Sequence, residues 1–284
     1  MRYFLILLCL TCYACKKEEV LIPGNQAPAD PTIEDITITN YINKNYINLF
    51  GREPLTLERN TAYTLLRGAN MSDSSRKQFL LNLFADQEYF YHLFDQTRLE
   101  LLNNLDTADI GDDIRDYQDY LQDSSYQQYW AAYQDELDRV TALYNIPRDL
   151  INGSIGIAEI HRRCVNNDYY EDINMGTENI VVSMFQNFLN RYPTISELEA
   201  AKEMYDGEPA VFFLQAGTGK NDFFNIFFSS NNYYEGLVQN LYIKLLYRNP
   251  TSSEMSAATL KFQASNNYLE MQIDILTSDE YAGI

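Results

Sequence analysis

Sulfur, imidazole, indole and positive charge are all scarce in this 284-residue sequence, and each scarcity excludes something. There are two His, four Cys and one Trp, and 21 Lys+Arg stand against 40 Asp+Glu, a formal net charge of −19. A pI near 4.4 and the lack of any basic run argue against a nucleic-acid partner, whose affinity rests on Lys and Arg at phosphates. His92 and His161 have no second His or Cys pair at metal-ligand spacing, so no metal site is expected. No Cys-x-x-Cys-His occurs, which excludes an attached c-type haem, and no other cofactor motif is present. Nor does any stretch approach the run of apolar residues that a membrane-spanning helix needs. What the chain does have is 46% hydrophobic residues, with 23 Tyr and 15 Phe, enough for a packed core.

The N-terminus reads as an address. Arg2 is followed by the apolar run Tyr3–Leu10, too short to span a bilayer but suited to a secretory signal. Small residues then lead to Cys15 and the tetrad Lys16-Lys17-Glu18-Glu19. This resembles the signal of bacterial lipoproteins, cut before a Cys that is then acylated; Cys12 is a weaker rival. The tetrad is similar to the surface-export signal of Bacteroidota lipoproteins. The resemblance implies a signal peptide over 1–14, lipidation at Cys15, and an outer-membrane, surface-exposed protein touching the membrane only through its lipid. Acyl chains at ~0.8 kcal/mol per buried methylene would anchor it stably. Residues 15–32, with Pro23, Pro28 and Pro31, read as an extended linker.

Cys9 and Cys12 fall in the removed segment, so Cys164 is left without a disulfide partner. A nucleophile served by His161, three residues earlier, is one reading of it. A small buried hydrophobe is the commoner fate of such a Cys.

From Thr32 onward apolar residues recur at helical spacing, so the expected fold class is all-α. The most specific feature is an internal repeat. Tyr46-INLFG-Arg52-Glu-Pro54-LTL-Glu58, Phe185-QNFLN-Arg191-Tyr-Pro193-TIS-Glu197 and Tyr242-IKLLY-Arg248-Asn-Pro250-TSS-Glu254 share one spacing of aromatic, Arg, Pro and Glu. Each later closes on a related pattern: Phe84-ADQE-Tyr89, Phe228-SSNN-Tyr233 and Leu276-TSDE-Tyr281. The expected unit has three helices. A first ends with Arg in its last turn, Pro prevents continuation, and Thr194 or Thr251 with the following Glu forms a capping box. In the first copy Leu55 breaks that box, leaving Thr56 to cap one residue later. A partial further copy begins at Tyr89 and decays near Leu105. The expected division is therefore 33–105 and 177–284 for the repeats, packed as one helical body, with an acidic helical insertion at 106–176.

Candidate sites are few. The repeated Arg could bind an anion or pair with the Glu of its own turn, and residues that punctuate every copy are more often architecture. The run from Asp106 to Asp119 lacks a calcium-loop frame and reads as a solvated face. Ala216-Gly-Thr-Gly-Lys220 fails as a phosphate loop, because Leu214 and Asn221 stand where Gly and Ser/Thr are needed. Tyr126, Tyr129, Trp130 and Tyr133 share one helical face; buried they are core, exposed they would suit stacking on a surface glycan. The loops at Asn152-Gly153, Asn166-Asn167 and Asn174-Met-Gly176 flank Cys164 and make that stretch the first place to seek a binding surface.

The Arg-x-Pro unit ending in Ser-x-Glu-Tyr resembles domains of unknown function in Planctomycete-type, cytochrome-associated secreted proteins and in bacterial surface proteins. Neither group brings an assigned catalytic residue. Together the readings imply a non-enzymatic binding or assembly component of the cell envelope, with a protein or glycan partner. The alternatives are a periplasm-facing accessory of a redox or hydrolytic system and a carbohydrate-binding surface lipoprotein.

Overall fold

Periodic apolar spacing, broken by Pro, Gly and capping side chains, becomes a succession of helices. The computed structural model describes residues 32–284. The signal-like segment, Cys15 and the linker through Pro31 lie outside the described residues. The chain opens with α1 (Asp35–Phe50), α2 (Thr56–Gly68), α3 (Asp73–Phe84) and α4 (Gln87–Leu101). The acidic stretch holds α5 (Thr107–Tyr120), a 3-10 turn (Ser124–Tyr129), α6 (Trp130–Tyr144), α7 (Ile146–Ile151), α8 (Ile157–Val165) and α9 (Asp168–Asn174). Then come α10 (Thr177–Leu189), α11 (Ile195–Tyr205), the strands β1 (Pro209–Phe212) and β2 (Gln215–Thr218), and α12 (Gly219–Phe228). α13 (Asn231–Leu246), α14 (Ser252–Ser265), α15 (Tyr268–Leu276) and α16 (Asp279–Ala282) complete it. The fold is all-α. Among the described residues its one exception is the β1–β2 hairpin, and Ile36–Thr39, which alternates like a strand, lies in the first turn of α1.

Residues Ile33–Ile284 form one unit, held together by contacts between its ends. α1 packs on α16, and α3 on α15. Tyr41 Oη donates to the Leu276 carbonyl at 3.0 Å, and Asn48 Nδ2 donates to Tyr281 Oη at 2.8 Å. Gln272 Nε2 donates to Tyr89 Oη at 2.7 Å inside the core. Arg76, only 2% exposed, pairs with Asp279 at 2.7 Å and with Asp73. The acidic stretch joins through α4, which packs on α7 and α8.

The repeated Arg does not sit in a helix's last turn as the sequence suggests. Each first helix instead ends on a left-handed cap, Gly51 (φ 70), Asn190 (φ 53) or Tyr247 (φ 56), and Arg follows it. The cap turns the chain sharply, so Arg faces the start of the next helix and not the carbonyls of the one behind. Glycine adopts this geometry freely, whereas a side chain there is strained. Tyr247 is 82% exposed and makes up nothing by burial. Tyr247→Gly is therefore expected to raise stability by ~1 kcal/mol, read as an increased urea midpoint; an unchanged or lowered midpoint would contradict the strain.

The expected substitute cap in the first copy is also corrected. Thr56 is the first helical residue of α2, and Leu55 occupies the cap position with no side-chain acceptor to offer. Half of the box survives, since Leu55 N–H donates to Glu58 Oε2 at 2.6 Å. In α11 and α14 both halves form: Thr194 and Thr251 accept from Glu197 and Glu254 N–H, and these Glu accept from the Thr backbone.

The hairpin packs on α11 and α12. Its two central residues, Phe213 (φ 47) and Leu214 (φ 65), are both left-handed, the geometry that matches strand twist but is normally filled by Asn and Gly. The Phe212 and Phe213 rings stack at 4.0 Å and enter the core, which offsets that strain, while Leu214 is 97% exposed at the tip.

Candidate functional site

Three clamps of the same construction stand at the Arg-x-Pro turns. Arg52 donates through Nη1 and Nη2 to both oxygens of Glu58, at 2.8 and 2.9 Å. Arg191 does the same to Glu197 at 2.8 and 2.6 Å, and Arg248 to Glu254 at 2.9 and 2.8 Å. In each, Nη1 also reaches the carbonyl of the residue after Arg. The guanidinium lies over the aromatic that begins the motif: Tyr46 at 5.6 Å, Phe185 at 4.9 Å, Tyr242 at 5.3 Å. Planar, bidentate and stacked, the Arg is used as Lys could not be.

Pro54, Pro193 and Pro250 stand between the helices these clamps join. A second carboxylate completes two of them, Glu88 on Arg52 and Glu280 on Arg248. The corresponding residue for Arg191 is Asn232. Arg52 and Arg248 thus spend Nε and both Nη on carboxylates, whereas Arg191 spends only its two Nη, on Glu197.

Cys164 and His161 do not make a catalytic pair. Both lie on α8, where Cys164 is fully buried and burial pushes its thiol well above the usual range, away from the reactive thiolate. Burial lowers His161 to about 3, so the imidazole is neutral. Its Nδ1 shares a 2.8 Å hydrogen bond with Tyr233 Oη, and its ring packs on Phe188 at 4.9 Å. The hydrogen bond orients the ring within the α8–α10–α13 contact. Among the described residues, no group of three or more His, Cys, Asp or Glu is arranged to hold a metal ion.

The aromatic stripe is not one helical face. Tyr126 and Tyr129 belong to the 3-10 turn, and Trp130 and Tyr133 to α6. The two periodicities differ, so the rings meet by folding back on α5 instead of aligning. Tyr120 of α5 lies 5.0 Å from Tyr126 and 5.2 Å from Tyr133, and Tyr129 lies 5.9 Å from Tyr133. Trp130 Nε1 donates to the Tyr120 carbonyl at 3.0 Å. Tyr129 is 51% exposed, and Trp130 and Tyr133 are half-buried. The cluster is a partly open aromatic surface, neither core nor free platform.

Half of the six Asp from Asp106 to Asp119 are spent locally. Asp106 caps the helix by accepting from Ala108 N–H, Asp112 pairs with Arg115, and Asp113 accepts from Tyr169 Oη. Ala216–Lys220 runs from β2 into the first turn of α12, and Lys220 pairs with Glu171 at 2.6 Å. No phosphate cradle forms there.

Two clefts remain. One, of about 450 Å³, lies between α4, α7 and the α14–α15 connection, lined by Leu93, Leu150, Ile155, Ile160 and Leu269. Gly153 and Gly156 belong to its wall, so part of the loop-rich stretch does border a cavity. The other, about 280 Å³, opens between α13, α14 and α15. Its floor is Tyr242, Leu246, Phe262, Met271 and Ile275, and its rim is ionic. Lys261 bridges Asp274 at 2.6 Å and Glu270 at 3.2 Å on one side, and Arg248 with Glu254 and Glu280 forms the other. Sequence reading missed this cleft. Its signal was present in Lys261, Glu270 and Asp274, which have the uncharged counterparts Leu65, Gln78 and Asn82 in the first copy.

The chain matches no protein-family model, no curated protein and no solved structure.

Proposed function

We propose that this protein is a cell-envelope lipoprotein, anchored through acylated Cys15 at the outer membrane, that acts as a non-enzymatic binding or assembly component. The observation behind the binding role is that its chemically capable groups are committed to structure. The clamps hold Arg52, Arg191 and Arg248, Cys164 is sealed, and His161 is neutral and bound to Tyr233. What faces solvent is apolar clefts and a half-open aromatic cluster, the raw material of recognition. Anchoring rests on Cys15 and the short apolar run before it. No described helix is long and apolar enough to cross a membrane.

Metabolic labelling with an alkyne fatty acid is expected to tag the wild-type protein and leave Cys15→Ser unlabelled. Protease added to intact cells is expected to degrade the labelled protein. Equal labelling of Cys15→Ser would refute the anchor. Protection in whole cells but not in lysed ones would favour the periplasm-facing alternative.

A further inference from the structure

The three Arg-Pro-Glu turns each lead to a space between the first helix, the second and the third, and the chain treats that space differently each time. In the middle copy the lining residues are Phe185 on α10 and Phe223 and Phe227 on α12. The hairpin fills the space: Phe212 lies 6.2, 5.4 and 6.5 Å from those three rings, and Phe213 lies 5.8 Å from Phe185 and 6.1 Å from Phe227. In the first copy the corresponding residues Tyr46, Phe79 and Leu83 are buried, and the α2–α3 connection contributes Met71, itself buried. In the last copy the corresponding residues line the 280 Å³ cleft: Met271 and Ile275 are as buried as Phe79 and Leu83, and Tyr242 is the one that is partly exposed. The connection there supplies only Asn266 and Asn267, neither of which can fill an apolar space. The last copy thus has a cleft beside Tyr242 and no counterpart of the Phe212-Phe213 pair.

The middle copy also shows what fits. Its plug is a pair of adjacent aromatic side chains on extended backbone. The rim adds a preference of charge, since four carboxylates (Glu254, Glu270, Asp274, Glu280) surround two cations (Arg248, Lys261). Their field reaches the floor: the Tyr242 hydroxyl is pushed up by burial first, and then by Glu254, Glu280 and Asp274, against Arg248. Buried aromatic contacts supply affinity, and a complementary charge at the edge supplies selectivity.

We infer that the α13–α14–α15 cleft is a recognition site for an extended peptide segment of a partner protein that presents adjacent aromatic residues flanked by Lys or Arg. The peptide's rings take the place that Phe212 and Phe213 occupy in the middle copy. Its cations meet Glu270 and Asp274, on the wall opposite the Arg248 clamp.

The purified full-length chain can be titrated calorimetrically with acetyl-Lys-Phe-Phe-Lys-amide. Saturable binding is expected, weakened about tenfold or more when Ala-Ala replaces Phe-Phe. Glu-Phe-Phe-Glu is expected to bind about tenfold more weakly than the basic peptide. Ala258→Phe places a ring in the cleft and is expected to abolish binding while helicity and thermal midpoint are retained. Should that variant fail to fold, Glu270→Gln/Asp274→Asn leaves the floor intact and is expected to remove the preference for the basic peptide. Equal binding of the Phe-Phe and Ala-Ala peptides, an acidic peptide that binds as well as the basic one, or undiminished binding to folded Ala258→Phe would overturn the proposal. Self-association of the free chain abolished by Ala258→Phe would also overturn it, by showing a second copy as the occupant. None of these outcomes depends on Cys15, so failure here leaves the anchoring proposal standing.

Discussion

Gly236→Ala is expected to destabilise the fold by ~3 kcal/mol, the upper end of what overpacking costs. α13 crosses the C-terminal end of α10 at this residue, and a Cβ added there would lie 1.8 Å from the Phe188 carbonyl oxygen and 2.9 Å from its carbon. Those atoms are backbone, so no rotamer change relieves the clash; one helix must move off the other. Retreat of α13 would loosen the 2.8 Å bond between Tyr233 and His161 and the 6.1 Å contact of Tyr233 with Phe188. It would also pull Asn240 from Asn190, now 2.7 Å away. For a domain of this size the loss corresponds to a fall in thermal midpoint on the order of 10 °C. Gly68→Ala is the control. Gly68 ends α2 with open space around it, and the change should be neutral or stabilise by up to ~1 kcal/mol. A Gly236→Ala protein as stable as the Gly68→Ala protein would show that the helices do not approach so closely.

That close contact illustrates what the sequence could and could not disclose. The residue at the place of Gly236 in the partial copy that begins at Tyr89 is His92, and there the small partner is on the other side: a Cβ on Gly51 would meet the His92 ring at 2.5 Å. Alternation of small and large across a contact leaves no fixed motif at either position. Helices, their Pro breaks and the Thr-x-x-Glu starts at Thr194 and Thr251 were legible, because each is encoded within a few adjacent residues. The left-handed caps at Asn190 and Tyr247 were not, since neither is Gly and tertiary packing imposes the turn. The hairpin was hidden for a similar reason. Its strands are four residues each, and Phe213-Leu214 stands where Asn-Gly would have announced a turn. The Arg–Glu pairing was readable from spacing alone, but the second carboxylates Glu88 and Glu280, 36 and 32 residues from their Arg, were not. Least legible was the cleft beside Tyr242, where the α14–α15 connection has no counterpart of the Phe212-Phe213 pair.

Stability is expected to fall steeply as pH drops from about 4.5 to about 2, and Glu197→Gln should make that fall shallower. Arg191 holds the Glu197 carboxylate by two hydrogen bonds and Thr194 N–H adds a third at 2.8 Å, which together lower it from 4.5 to about 2. Glu254 is lowered to about 2 by Arg248 and Thr251, and Glu58, Glu280 and Asp149 are lowered by their Arg partners. Between those limits the unfolded chain takes up protons that the folded chain refuses, so the equilibrium shifts toward unfolding. Above about 4.5 the full contribution is present; below about 2 it is gone. Glu136 and Asp168 act in the opposite sense, because burial raises both and their protonation favours the folded chain. They are two against six lowered carboxylates, Asp123 at its Ser125 cap being the sixth, and His161 and His92, lowered by burial, add to the fall as pH drops below 6.5. For Glu197, whose side chain is 21% exposed, solvent contact reduces the contribution to ~1–2 kcal/mol at neutral pH. Urea midpoints measured from pH 7 to pH 2 should therefore show Glu197→Gln below the parent at pH 7 and converging with it near pH 2. Parallel curves across that range would mean that the Arg191–Glu197 clamp adds nothing to the fold.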